Sequence, residues 1–211
     1  MKVGVIGAGR IGGNAARLLA AAGHEVMLSF SRDQAKLART AEQIGACAGA
    51  PGEAAEFGEV IVFSVPWTVI GEALAQAGSL RGKIVIDTTN QFAAGGIGPV
   101  PAGTTAAQFN QARMPGARLV KALNTLTASF QAESAGRTGP DRVVMFLCGD
   151  HEDAKTIVAG LIDDAGFAPV DLGGLADAAP MEAPRRPGAV YGEEYHLPAA
   201  RAFVANLKRG S

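Results

Sequence analysis

Three glycines near the start of the chain have the spacing of a dinucleotide-binding turn. Gly7, Gly9 and Gly12 form a GxGxxG motif between the apolar run 2–6 and an Ala- and Leu-rich segment. In such a turn the first glycine permits the bend, the second lets the backbone approach a pyrophosphate, and the third allows close helix packing. The helix start adds N–H donors. Because strand, turn and helix occur in order, the motif predicts dinucleotide binding rather than a merely structural turn.

The residues after the second predicted strand indicate which dinucleotide is bound. NAD sites usually place an acidic side chain there, whereas NADP sites offer hydroxyl and cationic groups to the 2′-phosphate. Ser31 and Arg32 occupy this region, and Lys36 follows one helical turn later. Asp33 comes after the arginine and is predicted to cap the next helix. The pattern favours NADP(H), and an ordinary solvated basic face is the alternative.

Two further strand ends are expected at the same crevice, because open α/β sheets bind ligands beyond the carboxyl ends of their strands. Ser64, Val65 and Pro66 follow one strand, and the apolar pair could pack along the cofactor. Asn90 follows the next strand and could hydrogen-bond a ribose or the nicotinamide carboxamide. Capping and turn chemistry is the alternative for Asn90 and for Asp87, and for Asp87 it is as well supported as a place in the crevice.

A third strand end carries Asn124 and Thr125, which are neutral hydrogen-bonding groups expected at the nicotinamide end. Lys121 precedes them and could act as a general acid. Because side chains alternate along a strand, Lys121 is expected to point to the same face as Leu123 and to the opposite face from Ala122. A solvent-reaching or salt-bridged lysine is therefore favoured over a catalytic one.

These motifs need a parallel sheet to bring them together, and the chain has the pattern of repeated βαβ units. Apolar runs typical of strands covered on both faces alternate with amphipathic segments. Strands are predicted near 2–6, 25–30, 60–65, 83–87, 118–122, 142–147 and 168–171, and helices near 11–22, 33–44, 67–77, 104–112 and 151–165. The predicted fold is α/β: a Rossmann-like, doubly wound, mostly parallel sheet with helices on both faces, in a single domain.

The sequence predicts an NADP-binding domain at 1–171 and a loop and terminal helix at 172–211, packed on the same domain. Asp150 is predicted to cap the helix at 151–165, and Gly166 to end it. Two long loops, 90–103 and 172–198, have lengths typical of functional or disordered segments. In the second loop, a side chain that could close over a substrate is Arg185, Arg186, Tyr191 or Tyr195, and a disordered or interface segment is the alternative.

Composition excludes several classes of function. The formal net charge of −1 provides no general attraction for nucleic acid or an anionic membrane. No apolar stretch reaches the roughly 18 residues of a membrane span, and the glycine-interrupted N-terminus fits a strand better than a signal peptide. Cys47 and Cys148 lack metal-site spacing and are expected to be reduced core thiols, which predicts no metal and a cytoplasmic location.

The chain resembles the coenzyme F420-dependent NADP oxidoreductases over roughly residues 1–171. The resemblance is carried by the GxGxxG turn, the Ser31-Arg32 pair, the segment DTTN at 87–90 and the segment VKALNT at 120–125. The same segments are similar to the oxidoreductase domain of the six-transmembrane metalloreductases. The resemblance implies a Rossmann-like domain that holds NADPH with its nicotinamide facing a flavin or deazaflavin ring.

The resemblance also implies roles for individual residues. Val65 and Pro66 would line the cofactor, and Asn90 and Asn124 would lie near the nicotinamide. The adenosine and phosphates would be held by Gly9, Arg10, Ile11, Ser31, Arg32 and Lys36.

The leading hypothesis is an NADPH-dependent oxidoreductase that passes hydride to a flavin-type or deazaflavin acceptor. Transfer between two rings depends on alignment, so no catalytic acid or base is expected. One alternative is a reductase of a small imine or carbonyl substrate, although related reductases add a large helical domain. Another is a non-catalytic NADP-binding sensor or redox subunit. Ala- and Gly-rich faces and the terminal helix could support a homodimer.

Overall fold

The N-terminal apolar run forms an inner strand of one large sheet. In the computed structural model, which describes residues 1–210, β1 (Lys2–Ile6) pairs in parallel with β2 (Glu25–Ser29) and with β4 (Val60–Phe63). The other strands of the sheet are β3 (Cys47–Ala48), β5 (Ile84–Asp87), β8 (Arg118–Ala122), β9 (Val144–Gly149) and β10 (Ala168–Asp171). The order is β10-β9-β8-β5-β4-β1-β2-β3. Every neighbouring pair is parallel except β8 and β9.

Helices cover both faces of this sheet, so the strands alternate between two buried clusters. In β4, Val60 and Val62 belong to one cluster, whereas Ile61 and Phe63 belong to the other. The first face is covered by α1 (Arg10–Ala21), α2 (Gln34–Gln43) and α7 (Glu152–Asp164). The second is covered by α3 (Pro51–Phe57), α4 (Ile70–Ala77), α5 (Ala106–Arg113) and α8 (Leu197–Gly210). A further helix, α6 (Ala128–Ser134), follows β8.

The predicted Rossmann-like α/β architecture is confirmed, and all seven predicted strands are present. The sequence did not indicate the short elements β3, α3 and α6. It also missed the two-stranded hairpin of β6 (Phe92–Ala93) and β7 (Gly96–Ile97) inside the first long loop. These elements are two to seven residues long, too short to show a hydrophobic period.

Two local predictions were wrong. His151, not Asp150, precedes α7, because Asp150 Oδ1 instead accepts a hydrogen bond from Leu175 N at 2.8 Å. Cys47 is exposed, whereas Cys148 is buried as expected. The apolar surroundings of Cys47 in the sequence form only a two-residue strand at the sheet edge, which leaves one side open to solvent.

The second long loop packs against the sheet. It contains a 3₁₀ helix at Leu175–Met181, and Leu175, Met181 and Val190 are buried in the same cluster as α4 and α5. Within residues 1–210, no helix is long and apolar enough to span a membrane, and no group of His, Cys, Asp and Glu is arranged to hold a metal ion.

Candidate functional site

A cleft of about 1160 Å³ lies at the carboxyl ends of β1, β4, β5 and β8. It brings together nine of the residues that the sequence placed at the glycine turn and the strand ends: Gly9, Arg10, Ile11, Ser64, Val65, Pro66, Asn90, Asn124 and Thr125. It is also lined by residues that the sequence did not single out, chiefly Asn14, Trp67, Phe92, Glu194 and the segment 126–130. The cleft lies where the sequence argument placed the ligand, beyond the carboxyl strand ends.

The three motif glycines have different structural tasks. Gly7 has a φ of +114°, and a Cβ there would clash with the carbonyl oxygen of Ser64. A Cβ on Gly12 would clash with the carbonyl oxygen of Gly7. By contrast, a Cβ on Gly9 would meet no atom of the described chain within 4 Å, and Gly9 lines the cleft. Gly7 and Gly12 therefore serve packing, and Gly9 leaves room on the ligand side.

The residues proposed for the 2′-phosphate lie beyond the end of β2 and outside the cleft lining. Gly7 N donates to Ser29 O at 3.0 Å, which ties the glycine turn to this strand end. Ser31 Oγ bonds to the backbone of Asp33, whose carboxylate accepts from Lys36 N at 2.9 Å and caps α2 as predicted. The side chains of Arg32 and Lys36 are exposed and make no ion pair with other described residues.

Asn90 and Asn124 bond to each other at the base of the cleft. This base is called the cleft floor below. Asn90 Nδ2 donates to Asn124 O at 3.0 Å, and Asn124 Nδ2 donates to Asn90 Oδ1 at 3.2 Å. The same pair holds the second long loop, because Asn124 Nδ2 donates to Met181 O and Ala183 N donates to Asn90 Oδ1. Asn124 is only 4% exposed, and its Oδ1 has no hydrogen-bond partner among residues 1–210. This oxygen can accept a hydrogen bond from a ligand.

Asn14 supplies the matching unused donor. Its side-chain oxygen accepts from Arg17 Nη2 at 3.0 Å, which orients the amide, and its buried Nδ2 has no acceptor within the described chain. Asn14 lies one helical turn after Arg10 and therefore on the same face of α1. That spacing was available in the sequence and could have identified it. An unpaired buried polar atom is costly, so both asparagines favour a polar ligand.

Behind the cleft floor, Lys121 and Asp87 form a fully buried ion pair at 3.0 Å. Asn110 Nδ2 donates to Asp87 Oδ2 and to Thr89 Oγ1, both at 3.0 Å. Lys121 Nζ also bonds Thr89 O, and Thr89 N donates to Asp87 Oδ1 at 2.9 Å. Lys121 is thus salt-bridged, as favoured, and does not line the cleft. The cluster fixes the turn that carries Thr89 and Asn90.

The second long loop contributes two of its four proposed side chains. Arg185 and Tyr191 line the cleft. Arg186 instead donates to the carbonyl oxygen of Ala179. Tyr195 packs edge-on against Phe146, with ring centroids 5.3 Å apart. The expectation of substrate closure therefore does not extend to Arg186 and Tyr195, which stabilise the loop itself.

Comparison with known proteins gives both a sequence match and a structural match. The model of the family described as NADP oxidoreductase, coenzyme F420-dependent, matches residues 2–91. The structure of hypothetical protein SMa0349 from Sinorhizobium meliloti is 31% identical, with a TM-score of 0.80, and the match covers 93% of this chain and 96% of that one. The chain belongs to the coenzyme F420-dependent NADP oxidoreductase family.

Other relatives and structural neighbours agree with this placement. A protein from Arthrobacter sp. FB24, proposed to be an F420-dependent NADP reductase, is 28% identical with a TM-score of 0.71, covering 84% of this chain and 87% of that one. Metalloreductase STEAP3 of Rattus norvegicus is 30% identical over 184 residues. That match covers 86% of this family member but only 36% of STEAP3. The chain therefore spans about a third of the curated relative.

An imine reductase from Aspergillus terreus, solved with NADPH4 and dibenz[c,e]azepine, shares the fold of this family member. It is 22% identical with a TM-score of 0.64, and the match covers 84% of this chain and 57% of the reductase. The protein is therefore a member of an NADP-dependent oxidoreductase family, and its fold is Rossmann-like.

Proposed function

We propose that the protein binds NADP(H) in the cleft and transfers hydride between it and a flavin-type or deazaflavin acceptor. The observation that carries this proposal is the size and extent of the cleft. Its volume of about 1160 Å³ exceeds the roughly 300–1,000 Å³ typical of a pocket for one ligand. It extends from the glycine turn at Gly9 to the aromatic side chains of Phe92 and Tyr191. Such a cleft suits two ligands bound together.

The cofactor would lie along the wall formed by α1 and the end of β4. Gly9 and the first turn of α1, with Arg10 and Ile11, would hold the pyrophosphate. Val65 and Pro66 would pack along the cofactor. Ser31, Arg32 and Lys36 would bind the 2′-phosphate. The unpaired positive charges of Arg32 and Lys36 support NADP(H) over NAD(H).

The nicotinamide would lie over the Asn90–Asn124 pair. Asn124 Oδ1, which lacks a partner among the described residues, would accept from the carboxamide. Asn14 Nδ2 would donate to an oxygen of the cofactor. NADP(H) supplies the hydride when bound, and the chain contributes binding, alignment and exclusion of water. Apart from the phenol of Tyr191, the ionisable side chains lining the cleft are Arg10, Arg185 and Glu194. This sparse set suits a transfer that needs alignment rather than proton exchange.

The test combines binding with turnover. NADPH and NADH affinities are measured by calorimetry, and NADPH oxidation is followed with FMN, a 5-deazaflavin, cyclic imines and a ferric chelate. We expect tighter binding of NADPH than NADH, and oxidation supported by the flavin or deazaflavin. Turnover with imines alone would favour the alternative function, reduction of a small imine substrate. The imine reductase from Aspergillus terreus shares the fold of this protein. Tight NADPH binding without turnover would indicate a sensor or redox subunit.

We also propose a reducing, cytoplasmic setting. Its support is that both cysteines are free thiols, with Cys148 in the core.

A further inference from the structure

We propose that Gln131 is a positioning residue for the nicotinamide, because it holds a strained turn at Leu123 that directs Asn124 into the cleft. This inference rests on the proposed function, since it concerns how the chain binds the nicotinamide end of the same cofactor. Gln131 does not line the cleft. It would therefore act through the backbone of its neighbours rather than by contact with a ligand.

The turn after β8 contains a residue in an unfavourable backbone conformation. Leu123 has a φ of +59°, which lies in the left-handed region. A residue with a Cβ is disfavoured there, and leucine lacks the local hydrogen bond by which asparagine and aspartate offset the cost. Within residues 1–210, the other non-glycine residue with a positive φ is Phe30, which follows β2. Strained residues cluster at functional sites and persist only where their surroundings hold them.

Gln131 bonds to both ends of this turn. Its Nε2 donates to Leu123 O at 3.1 Å and to Leu126 O at 2.9 Å. Gln131 is 1% exposed and lies in α6, which begins two residues after Leu126. A relaxation of Leu123 to a negative φ would move its carbonyl away from this amide, and a buried polar group that loses its partner is costly. The glutamine therefore opposes relaxation of the turn.

The turn determines where the Asn124 amide lies. Asn124 follows Leu123 directly, accepts at its backbone O from Asn90 Nδ2 at 3.0 Å, and donates from Nδ2 to Asn90 Oδ1 at 3.2 Å. These bonds leave Asn124 Oδ1 without a partner among the described residues, and this is the atom proposed to accept from the carboxamide. Residues 125–130, which come next, also line the cleft. A change of φ at Leu123 would therefore move the amide and this lining together.

A second glutamine makes the same kind of contact at the opposite end of β8. Gln111 Nε2 donates to Met114 O at 3.3 Å and to Ala117 O at 3.0 Å. Both carbonyls precede β8, whereas the cleft lies at the carboxyl end of that strand, and Gln111 does not line the cleft. Gln111 is therefore a matched control for the loss of two bonds from a glutamine amide to the backbone.

The test compares NADPH with adenosine 2′,5′-bisphosphate, a fragment that lacks the nicotinamide. Both affinities are measured by calorimetry without an acceptor, so that no turnover is needed. Gln131→Met keeps an unbranched side chain but removes the amide donor. It should weaken NADPH binding about tenfold, as the loss of one well-placed hydrogen bond allows, and leave the affinity for the fragment unchanged. Gln111→Met should leave both affinities unchanged.

Substitution of Leu123 tests the strain itself. Glycine adopts a positive φ without a steric penalty, so the bonds between Asn124 and Asn90 should then be enough to hold the turn. We expect the double variant Leu123→Gly, Gln131→Met to bind NADPH at least about threefold more tightly than Gln131→Met. The double variant Leu123→Ala, Gln131→Met should show no such recovery, because alanine loses the same buried side chain but keeps the Cβ.

Circular dichroism shows whether each variant folds. Gln131→Asn, whose amide is set back by one methylene, replaces Gln131→Met if the methionine variant does not fold, and the same loss of NADPH affinity relative to the fragment is expected. Failure of both variants to fold, while Gln111→Met folds, would overturn the positioning role and leave Gln131 a folding residue.

The positioning role is also overturned if Gln131→Met changes the affinities for NADPH and for the fragment by the same factor, or changes neither. Equal recovery with glycine and alanine at position 123 would overturn the role of the strain. The unsubstituted protein separates these results from the proposed function. If it does not bind NADPH, the proposed function fails; if it binds NADPH and the ratio of affinities is unchanged in Gln131→Met, only the positioning role fails.

Discussion

Replacing Lys121 with methionine tests whether the buried ion pair supports the floor of the cleft. Methionine keeps an unbranched side chain but removes the charge and the Nζ donor. Asp87 would retain its bonds from Thr89 N and Asn110 Nδ2 but would lose its cation. The carbonyl oxygen of Thr89 would also lose the Lys121 donor.

The expected effect is large, because removing one partner of a buried pair leaves an uncompensated charge. Such changes cost about 3–5 kcal/mol, which is a large fraction of the roughly 5–15 kcal/mol that stabilises a typical domain. The double variant Lys121→Met, Asp87→Asn removes both charges. We expect it to be more stable than the single variant by at least about 1 kcal/mol.

Urea unfolding followed by circular dichroism gives these free energies. Lys208→Met is a suitable control, since it removes an exposed lysine from the last turn of α8, and it should change stability by no more than about 0.5 kcal/mol. The reasoning is refuted if Lys121→Met costs less than about 1 kcal/mol. It is also refuted if the double variant is no more stable than the single one.

Four further substitutions, one of them a stability control, test the proposed cofactor side of the cleft. Gly9→Val should fold normally yet lose NADPH binding in calorimetry. The control Gly12→Val should instead lower the unfolding free energy, because its side chain would meet the Gly7 carbonyl. Normal NADPH binding by Gly9→Val would contradict the pyrophosphate role. Arg32→Glu should weaken NADPH binding by at least about tenfold, as expected from one lost charge-assisted contact, and leave NADH nearly unchanged; equal losses would refute the 2′-phosphate assignment. Asn14→Leu removes an unsatisfied buried donor and should weaken NADPH binding with little loss of stability; unchanged affinity would exclude Asn14 from the site.

The part of the cleft formed by the glycine turn and the strand ends was predictable because local sequence determines it. The glycine turn, the strand before it and the helix after it are contiguous, and the carboxyl ends of parallel strands must meet at one edge. The position of Asn90 beside Asn124 follows from this rule, since β5 and β8 are neighbours.

The part of the cleft formed by the second long loop was not predictable in the same way. Arg185 and Tyr191 reach the cleft because a long loop returns to the sheet edge and bonds there to Asn90 and Thr125. Neither bond leaves a local pattern in the sequence. The antiparallel pairing of β9 with β8 was also hidden, because an apolar strand reads the same in either direction.

The most direct test of the account is the fate of the hydride. NADPH deuterated at nicotinamide C4, in each stereochemical form, is incubated with the protein and 5-deaza-FMN, and the reduced product is examined by mass spectrometry. Hydrogen bound at C5 of a reduced deazaflavin does not exchange with water, so a transferred deuterium is retained. We predict that one form of the labelled NADPH delivers deuterium to C5. A reduced product that takes its C5 hydrogen from solvent, or the absence of reduction while NADPH remains bound, would contradict hydride transfer between two cofactor rings.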